Sequence, residues 1–352
     1  LGFPVLLRAP TAVQTGLGVA RSADELQATF AAAVERSARA ADTNAGGVLL
    51  ERLLPGVRRL EVPIVSFPDG RRWILDVIDA SLRRRDGSVI VEAPAPALSE
   101  EVQAKIREAV AHFAEVLRHE HVGTMAFLHR PGTRQVTFLG YDFGRGGEHA
   151  AAEMLRGLDL AKLRASLGLG LDLPEGEAPA PRGHAMAAQL RVEAFEPDPV
   201  LVHFRPASGP GVRTDSDARP GDRLSPQGAV AEIIAHGSSR SETLARLRGA
   251  LAESVSALLQ VTGSPELAAG PVVVDWWIQQ LRAGELRSRQ HAAEALLVAA
   301  ADAHAAGHAA DRKEFVASAA RGRPETRPPA RRAIELELDG RIYPLVVTAV
   351  DL

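Results

Sequence analysis

The chain has no cysteine and only three lysines, Lys105, Lys162 and Lys313, so 38 of its 41 basic residues are arginine. Without cysteine there is no disulfide framework, no thiolate metal site and no thiol nucleophile. Arginine holds phosphate well but does not readily give up its proton, so a mechanism that needs a site lysine has little to draw on. No apolar run approaches the roughly 20 residues that span a bilayer. The formal net charge of −3 gives neither a basic footprint for nucleic acid nor an acidic tail. The opening residues show no signal-peptide pattern, and a reducing cytoplasm is the expected location. At 352 residues, 46% apolar and 24% charged, the chain reads as soluble and globular, long enough for two or three domains. Its first residue is Leu1, and Gly2–Leu7 enters directly into what should be a buried strand, so a fragment or a truncated frame is expected.

Hydrophobic patterning divides the chain. Up to about Leu167, strands alternate with amphipathic helices. Ser22 and Glu25 form a capping box for a helix reaching Ala41, with Leu26, Phe30 and Val34 on one face. Strands are expected at Gly47–Glu51, Leu60–Phe67 and Trp73–Ile78, the last two joined by a turn at Pro68-Asp69-Gly70. Ser99 caps a second helix, whose apolar positions Val102, Ile106, Val110, Phe113 and Leu117 repeat at helical spacing. Strands Thr124–Leu128 and Val136–Phe143 flank a Pro131-Gly132 turn. Hairpins crossed by helices imply an α+β fold with an antiparallel sheet. Gly168–Arg182, rich in Gly, Pro and Glu, reads as a linker or surface loop. A second region follows, with a helix from Ser241 carrying Leu244, Leu247, Leu251, Val255 and Leu258. Beyond it come an Ala-rich helix at Gln290–Ala310, a flexible Pro/Arg-rich stretch at Arg321–Arg332, and a hairpin whose arms are Ala333–Leu338 and Arg341–Val347.

Several segments, in order, resemble biotin carboxylases of the acyl-CoA carboxylase type. They are Gly2–Ala9, Leu49-Leu50-Glu51-Arg52, Val89–Pro96 (V-I-V-E-A-P-A-P), Glu148-His149, Gly157–Leu160, Arg182-Gly183-His184-Ala185, Gly209–Arg213, Asp215-Ser216 and Gly221-Asp222. The hairpin around Glu335–Arg341 is similar to the region joining carboxylase to biotin carrier. The resemblance implies ATP-grasp central and C-terminal lobes over residues 1–167, without the N-terminal subdomain. It implies a biotin carboxylase C-terminal domain over 168–284, then a helical linker and the start of a carrier-linking β region over 285–352. It also implies ATP and magnesium as cofactors and biotin as a substrate on a separate carrier, since no A-M-K-M attachment motif is present. A biotin carrier domain, a carboxyltransferase subunit and a second copy of the chain are the implied partners, with neither nucleic acid nor membrane among them.

The same resemblance assigns the chemistry position by position. The family reaction activates bicarbonate with ATP and carboxylates biotin. The glycine flap over the phosphates falls on Pro10-Thr11-Ala12-Val13-Gln14-Thr15-Gly16, which has lost nearly all its glycines and is a residue shorter. Backbone N–H groups approach phosphate closely only where no Cβ intervenes. The two magnesium glutamates fall on Ala126 and Gly140, leaving Asp142 to offer an oxygen. The family histidine and lysine fall on Asp86 and Ser88, the enolate arginine on Gly144 beside Arg145, and a substrate arginine on Gln189. The biotin-pocket segment after Ser225-Pro226 is shortened to Gln227-Gly228. What survives is the general-base position Glu148, a cation at Arg8 for the ATP lysine, the adenine-hinge residues Glu51 and Arg52, and Glu61.

Plainer explanations stand beside these. Glu148-His149 also suits a helix start, where a carboxylate complements the dipole. Arg83-Arg84-Arg85 reads as an exposed charged turn, and Trp276-Trp277 as packing of the C-terminal domain. His119/His121 and His304/His308 have metal-like spacing without a third ligand. Two functional readings stay open. One is a biotin carboxylase-like pseudoenzyme with a structural or interaction role. The other is an active, divergent ATP-grasp ligase completed by an N-terminal part.

Overall fold

The computed structural model describes residues 2–8, 16–40, 48–84, 87–116, 121–142, 149–191, 200–201, 204–224, 229–252, 261–283, 292–319, 322, 331–338 and 341–348. They fall into two compact units, Leu1–Leu286 and Arg287–Leu352.

In the larger unit, β1 (Val5–Arg8), β2 (Gly16–Ala20) and β3 (Leu49–Arg52) form a small antiparallel sheet in the order β2-β1-β3. Strand alternation buries Val5 and Leu7 and leaves Leu6 and Arg8 half-buried. Helix α1 (Ala23–Ala40) lies on this sheet, and its start is closed as expected: Glu25 N–H donates to Ser22 Oγ at 3.3 Å, and the Glu25 carboxylate accepts from Arg21 N–H at 2.8 Å. Three strands cover only a narrow stripe of the helix, and Ala33 is the buried one among its described side chains. Phe30, expected on the packed face, is 42% exposed.

The main sheet has nine strands: β4 (Arg58–Ser66), β5 (Arg72–Ile74), β6 (Ile78–Arg84), β7 (Gly87–Ala93), β8 (Val122–His129), β9 (Val136–Asp142), β10 (His184–Arg191), β11 (Val212–Asp215) and β12 (Ala229–Gly237). Their order is β11-β12-β10-β7-β6-β4-β8-β9, with β5 also on β4 and every pairing antiparallel. The single strand expected at Trp73–Ile78 is two. β5 pairs with the end of β4 around Ile64 and β6 with its beginning around Leu60, on the same edge, so the chain must step along that edge through Leu75–Val77. Because β7 pairs with β10, one sheet runs across the 167/168 division expected from the sequence.

Helices cover both faces. α2 (Glu100–Val116) buries Val102, Ile106 and Val110 against Leu60, Val62, Ile64, Met125 and Phe127. Ser99 Oγ accepts from Val102 N–H at 3.3 Å, the expected cap. α3 (His149–Arg156) and α4 (Leu160–Leu169) pack over Phe67, Trp73, Leu75 and Ala185. α5 (Arg240–Leu251), α6 (Pro265–Ala269) and α7 (Trp276–Ala283) enclose another core with Met186, Ile233, Leu244, Leu247, Leu251, Trp276 and Trp277. α5 begins at Arg240 rather than Ser241, because Ser239 is the residue in extended conformation whose Oγ accepts from Glu242 N–H. Val255 and Leu258 lie outside the described residues.

The segment expected as a linker is tied down. α4 extends to Leu169 and ends at Gly170 with φ 64°. Trp73 Nε1 then donates to the Gly176 carbonyl at 3.0 Å, Arg71 to those of Pro174 and Gly176, and Arg156 to that of Pro179. The segment itself gave no sign of this, because two of the anchors, Arg71 and Trp73, lie about a hundred positions away.

In the smaller unit, α8 (Ala292–Ala319) runs beyond the expected end at Ala310. The hairpin pairs β13 (Arg332–Leu338) with β14 (Arg341–Val347) in the expected register. Arg332, assigned to the flexible stretch, opens β13 and reaches Asp311 on α8 at 2.6 Å. Among the described residues, no helix is long and apolar enough to cross a membrane.

Candidate functional site

Directly opposed residues of an antiparallel sheet share a face. Glu61 pairs with Ala126, and Ala126 with Gly140, so these three form one row across β4, β8 and β9. The alternate residues Leu60, Val62, Met125 and Phe127 face α2, which leaves the Glu61 row on the other side of the sheet. Both positions assigned to the magnesium glutamates thus lie side by side, and neither has a side-chain oxygen. A one-residue irregularity follows, with Phe127 opposite Phe138, and bulges of this kind often sit beside sites. Thr124 and Asp142 form the next row, and Thr124 Oγ1 lies 2.5 Å from His149 Nε2 at the start of α3.

Glu61 is 2% exposed and already neutralised, with Arg59 Nε at 2.5 Å and Arg83 Nη1 at 3.7 Å. Arg83 is therefore half-buried and turned inward, contrary to the exposed turn expected. The phenol of Tyr141 covers Gly123, where a Cβ would lie 1.9 Å from its oxygen. Burial, reinforced by the neighbouring Asp142 charge, pushes that phenol well above its ordinary pKa.

Arg8 and Glu51, two of the cofactor-binding candidates, pair with each other at 2.5 Å across β1 and β3. Arg52 is exposed and lines a cavity of about 620 Å³ together with Leu54 and Leu128. Gln189 in β10 accepts from Arg191 at 2.8 Å. Ser88 pairs with Arg83 through the β6–β7 ladder. The sheet thus brings Glu61, Ala126, Gly140 and Asp142 together, while Arg8 and Glu51 sit on the separate small sheet. Glu148, Arg145, Gly144, Asp86, the flap residues 10–15 and the 225–228 segment lie outside the described residues.

The residues present do not fit the family's magnesium pair. Magnesium needs anionic oxygens in near-octahedral geometry. Alanine and glycine supply none, Glu61 is committed to two arginines, and Asp142 is one row away. Among the described residues, no cluster of three or more His, Asp or Glu side chains is placed to hold a metal, His304 and His308 included.

Two features escaped sequence reasoning. One is a buried ionic network: Glu92 accepts from Arg240 Nε at 2.8 Å and Nη2 at 3.2 Å and from His184 at 3.1 Å, and it pairs across the ladder with Asp79. Arg58 in turn holds Asp79 through Nε and Nη2 at 3.0 and 2.7 Å. Burial pushes the Asp79 carboxyl upward, with Arg58 pulling it back and Glu92 adding to the rise. The other is the set of cations Lys105, Arg130 and Arg134 in the Arg52 cavity. The register of β6, β7 and β10 would have been needed to locate the first, and that of β4, β8 and β9 the second.

The profile of the family described as "Carbamoyl-phosphate synthase L chain, ATP binding domain" matches residues 1–176, half of the chain. The chain belongs to this family. Among curated relatives of this ATP-binding family member, the biotin carboxylase of Pseudomonas aeruginosa is 32% identical over 263 residues and that of Haemophilus influenzae 30% over 264. The match takes in 72% of this chain, which spans 58% of the length of each. The mitochondrial methylcrotonoyl-CoA carboxylase subunit alpha of Mus musculus is 28% identical over 299 residues, covering 78% of this chain and 41% of the relative. The biotin carboxylase domain of the Hydrogenobacter thermophilus 2-oxoglutarate carboxylase superposes with a TM-score of 0.74 at 19% identity, over 82% of this chain and 66% of that one. The last likeness is one of fold: the α+β, biotin carboxylase-like arrangement expected for an ATP-grasp protein.

Proposed function

We propose that this chain is a biotin carboxylase-like component of an acyl-CoA carboxylase that does not itself carboxylate biotin and instead contributes structure or contacts to an assembly. One observation carries the reading: Ala126 and Gly140 oppose each other where the resemblance places both metal carboxylates. Removing even a single preorganised hydrogen-bond donor from an active site costs about two to three orders of magnitude in rate. Here the metal pair, the flap glycines and the Asp86 and Ser88 positions are changed together. A biotin carrier domain, a carboxyltransferase subunit and a second copy of the chain are the proposed partners, in the cytoplasm.

The surviving Arg8–Glu51 pair and the buried Glu61 favour a second reading, an active divergent ligase whose missing groups come from outside these residues. Thermal melts with millimolar ATP separate the two. Ligand at a hundred times its Kd stabilises by about 2.7 kcal/mol, which moves the midpoint of a unit of this size by roughly 5 °C or more. The proposal expects any shift caused by ATP to be the same in magnesium and in EDTA. A shift of several degrees that appears only with magnesium contradicts it.

A further inference from the structure

The smaller unit has little core of its own. α8 rises about 42 Å over its 28 residues, while each seven-residue strand of the hairpin spans only about 23 Å. Both strands pack on the helix, yet among the described residues of this unit Ala300 is the one buried apolar side chain. Leu297, Val298, Phe315 and Val316 on α8 stay exposed. A small unit with this much uncovered apolar surface calls for a partner.

The two edges of the hairpin are not equivalent. Pro344 has no N–H, so the directly opposed Glu335 and Pro344 cannot be a pair that exchanges both backbone hydrogen bonds. Their backbone groups therefore point outward, to opposite edges. On the β14 edge the proline ring blocks the addition of a strand. On the β13 edge, alternation leaves the N–H and C=O groups of Ala333, Glu335 and Glu337 pointing outward, and among the described residues β13 pairs with β14 alone. This edge is held in place, because Arg332 lies across Gly307, where there is no room for a Cβ, and reaches Asp311.

The side chains along this edge are self-complementary. Ile334 and Leu336 are half-buried on the α8 side, while Ala333, Glu335 and Glu337 are exposed on the other face, as is Arg331 just before the strand. Two copies laid antiparallel, with Ile334 opposite its own counterpart, place Glu337 of each opposite Arg331 of the other, and Glu335 opposite Ala333. Opposite charges facing across a strand pair stabilise it, whereas registers centred on Glu335 or Leu336 set glutamate against glutamate. The two-fold axis is normal to the sheet, so both α8 helices fall on one face. Two strands about 4.8 Å apart match the width of one helix, about 10 Å, and the helices then lie side by side at packing distance.

We propose that the smaller unit is a dimer interface, in which β13 pairs antiparallel with β13 of a second copy of the chain to make one four-stranded sheet. Pro344 closes both outer edges of that sheet, so the assembly stops at two copies instead of growing. The contact uses residues of the smaller unit alone. It is therefore independent of the Ala126–Gly140 row and of whether the chain turns over ATP.

Sedimentation velocity of the full chain measures the dimer, and charge reversal locates it. Arg331→Glu and Glu337→Arg each set like charges against each other at both ends of the strand pair. Each is expected to raise the dimer dissociation constant about tenfold or more. The Arg331→Glu/Glu337→Arg double variant exchanges the signs and is expected to restore the wild-type value. These side chains are exposed, and an unchanged melting temperature confirms that the variants fold. Because the chain has no cysteine, Ile334→Cys reports the register. Mild oxidation is expected to link it to its counterpart, while Ile342→Cys on the outer strand stays unlinked. A chain that remains monomeric at about 100 µM overturns the proposal. So does a dimer that the single reversals leave unchanged, since its contact lies elsewhere. Bicarbonate-stimulated turnover would instead contradict the non-catalytic reading and leave this one standing.

Discussion

Replacing Gly183 with alanine is expected to destabilise the larger unit by about 3 kcal/mol or more. Gly183 has φ +70°, a conformation that strains any residue with a Cβ, and the added methyl would lie 2.1 Å from the Gly237 carbonyl oxygen. Neither backbone can retreat. Gly183 leads directly into β10, whose His184 pairs with Gly237 at the end of β12, and His236 Nε2 donates to the Arg182 carbonyl at 2.6 Å. Relief would have to come from unpairing the end of that ladder, which lies over the core of α3 and α5. Urea unfolding followed by circular dichroism measures the effect, and a loss below about 1 kcal/mol would show that the ladder end yields freely.

The Glu92→Ala substitution should be of similar size, about 3 kcal/mol, because it strands the buried His184 and the half-buried Arg240. Arg240 would keep its carbonyl acceptors at Ala268 and Gly270 but lose a two-point contact with a carboxylate, and His184 would lose its acceptor. Part of the loss is returned, since Asp79 is relieved of a like charge across the strand pair. Glu92→Gln keeps the shape and one acceptor oxygen and is expected to lose less than alanine. If alanine and glutamine cost the same, charge is not what the network contributes. If alanine costs under about 1 kcal/mol, the cluster is not a structural anchor.

Both residues sit in segments that stood out in the sequence, E-A-P-A-P and R-G-H-A, and the structure gives a physical reason. A positive φ against a carbonyl leaves glycine as the residue that fits, and a half-buried arginine calls for a carboxylate. The residue letters can be read without a fold; the contacts that require them cannot. The α2 stripe was legible for a related reason: Val102, Ile106 and Val110 repeat with the helix period and meet one flat sheet face. Other features depend on long-range geometry. The step at Leu75–Val77 exists because two short strands share one edge of β4. The 170–182 segment looked loose because Trp73 and Arg71 hold it from a distance. For the site, the identities of Ala126 and Gly140 were readable, but their direct opposition, the commitment of Glu61 to two arginines and the cationic cavity required the register.

The most direct test of the non-catalytic reading is phosphate release from ATP by the full chain in magnesium, with free biotin, measured with and without bicarbonate. The account predicts one background rate in both conditions and no carboxybiotin. Bicarbonate-stimulated phosphate release accompanied by carboxylated biotin would contradict it.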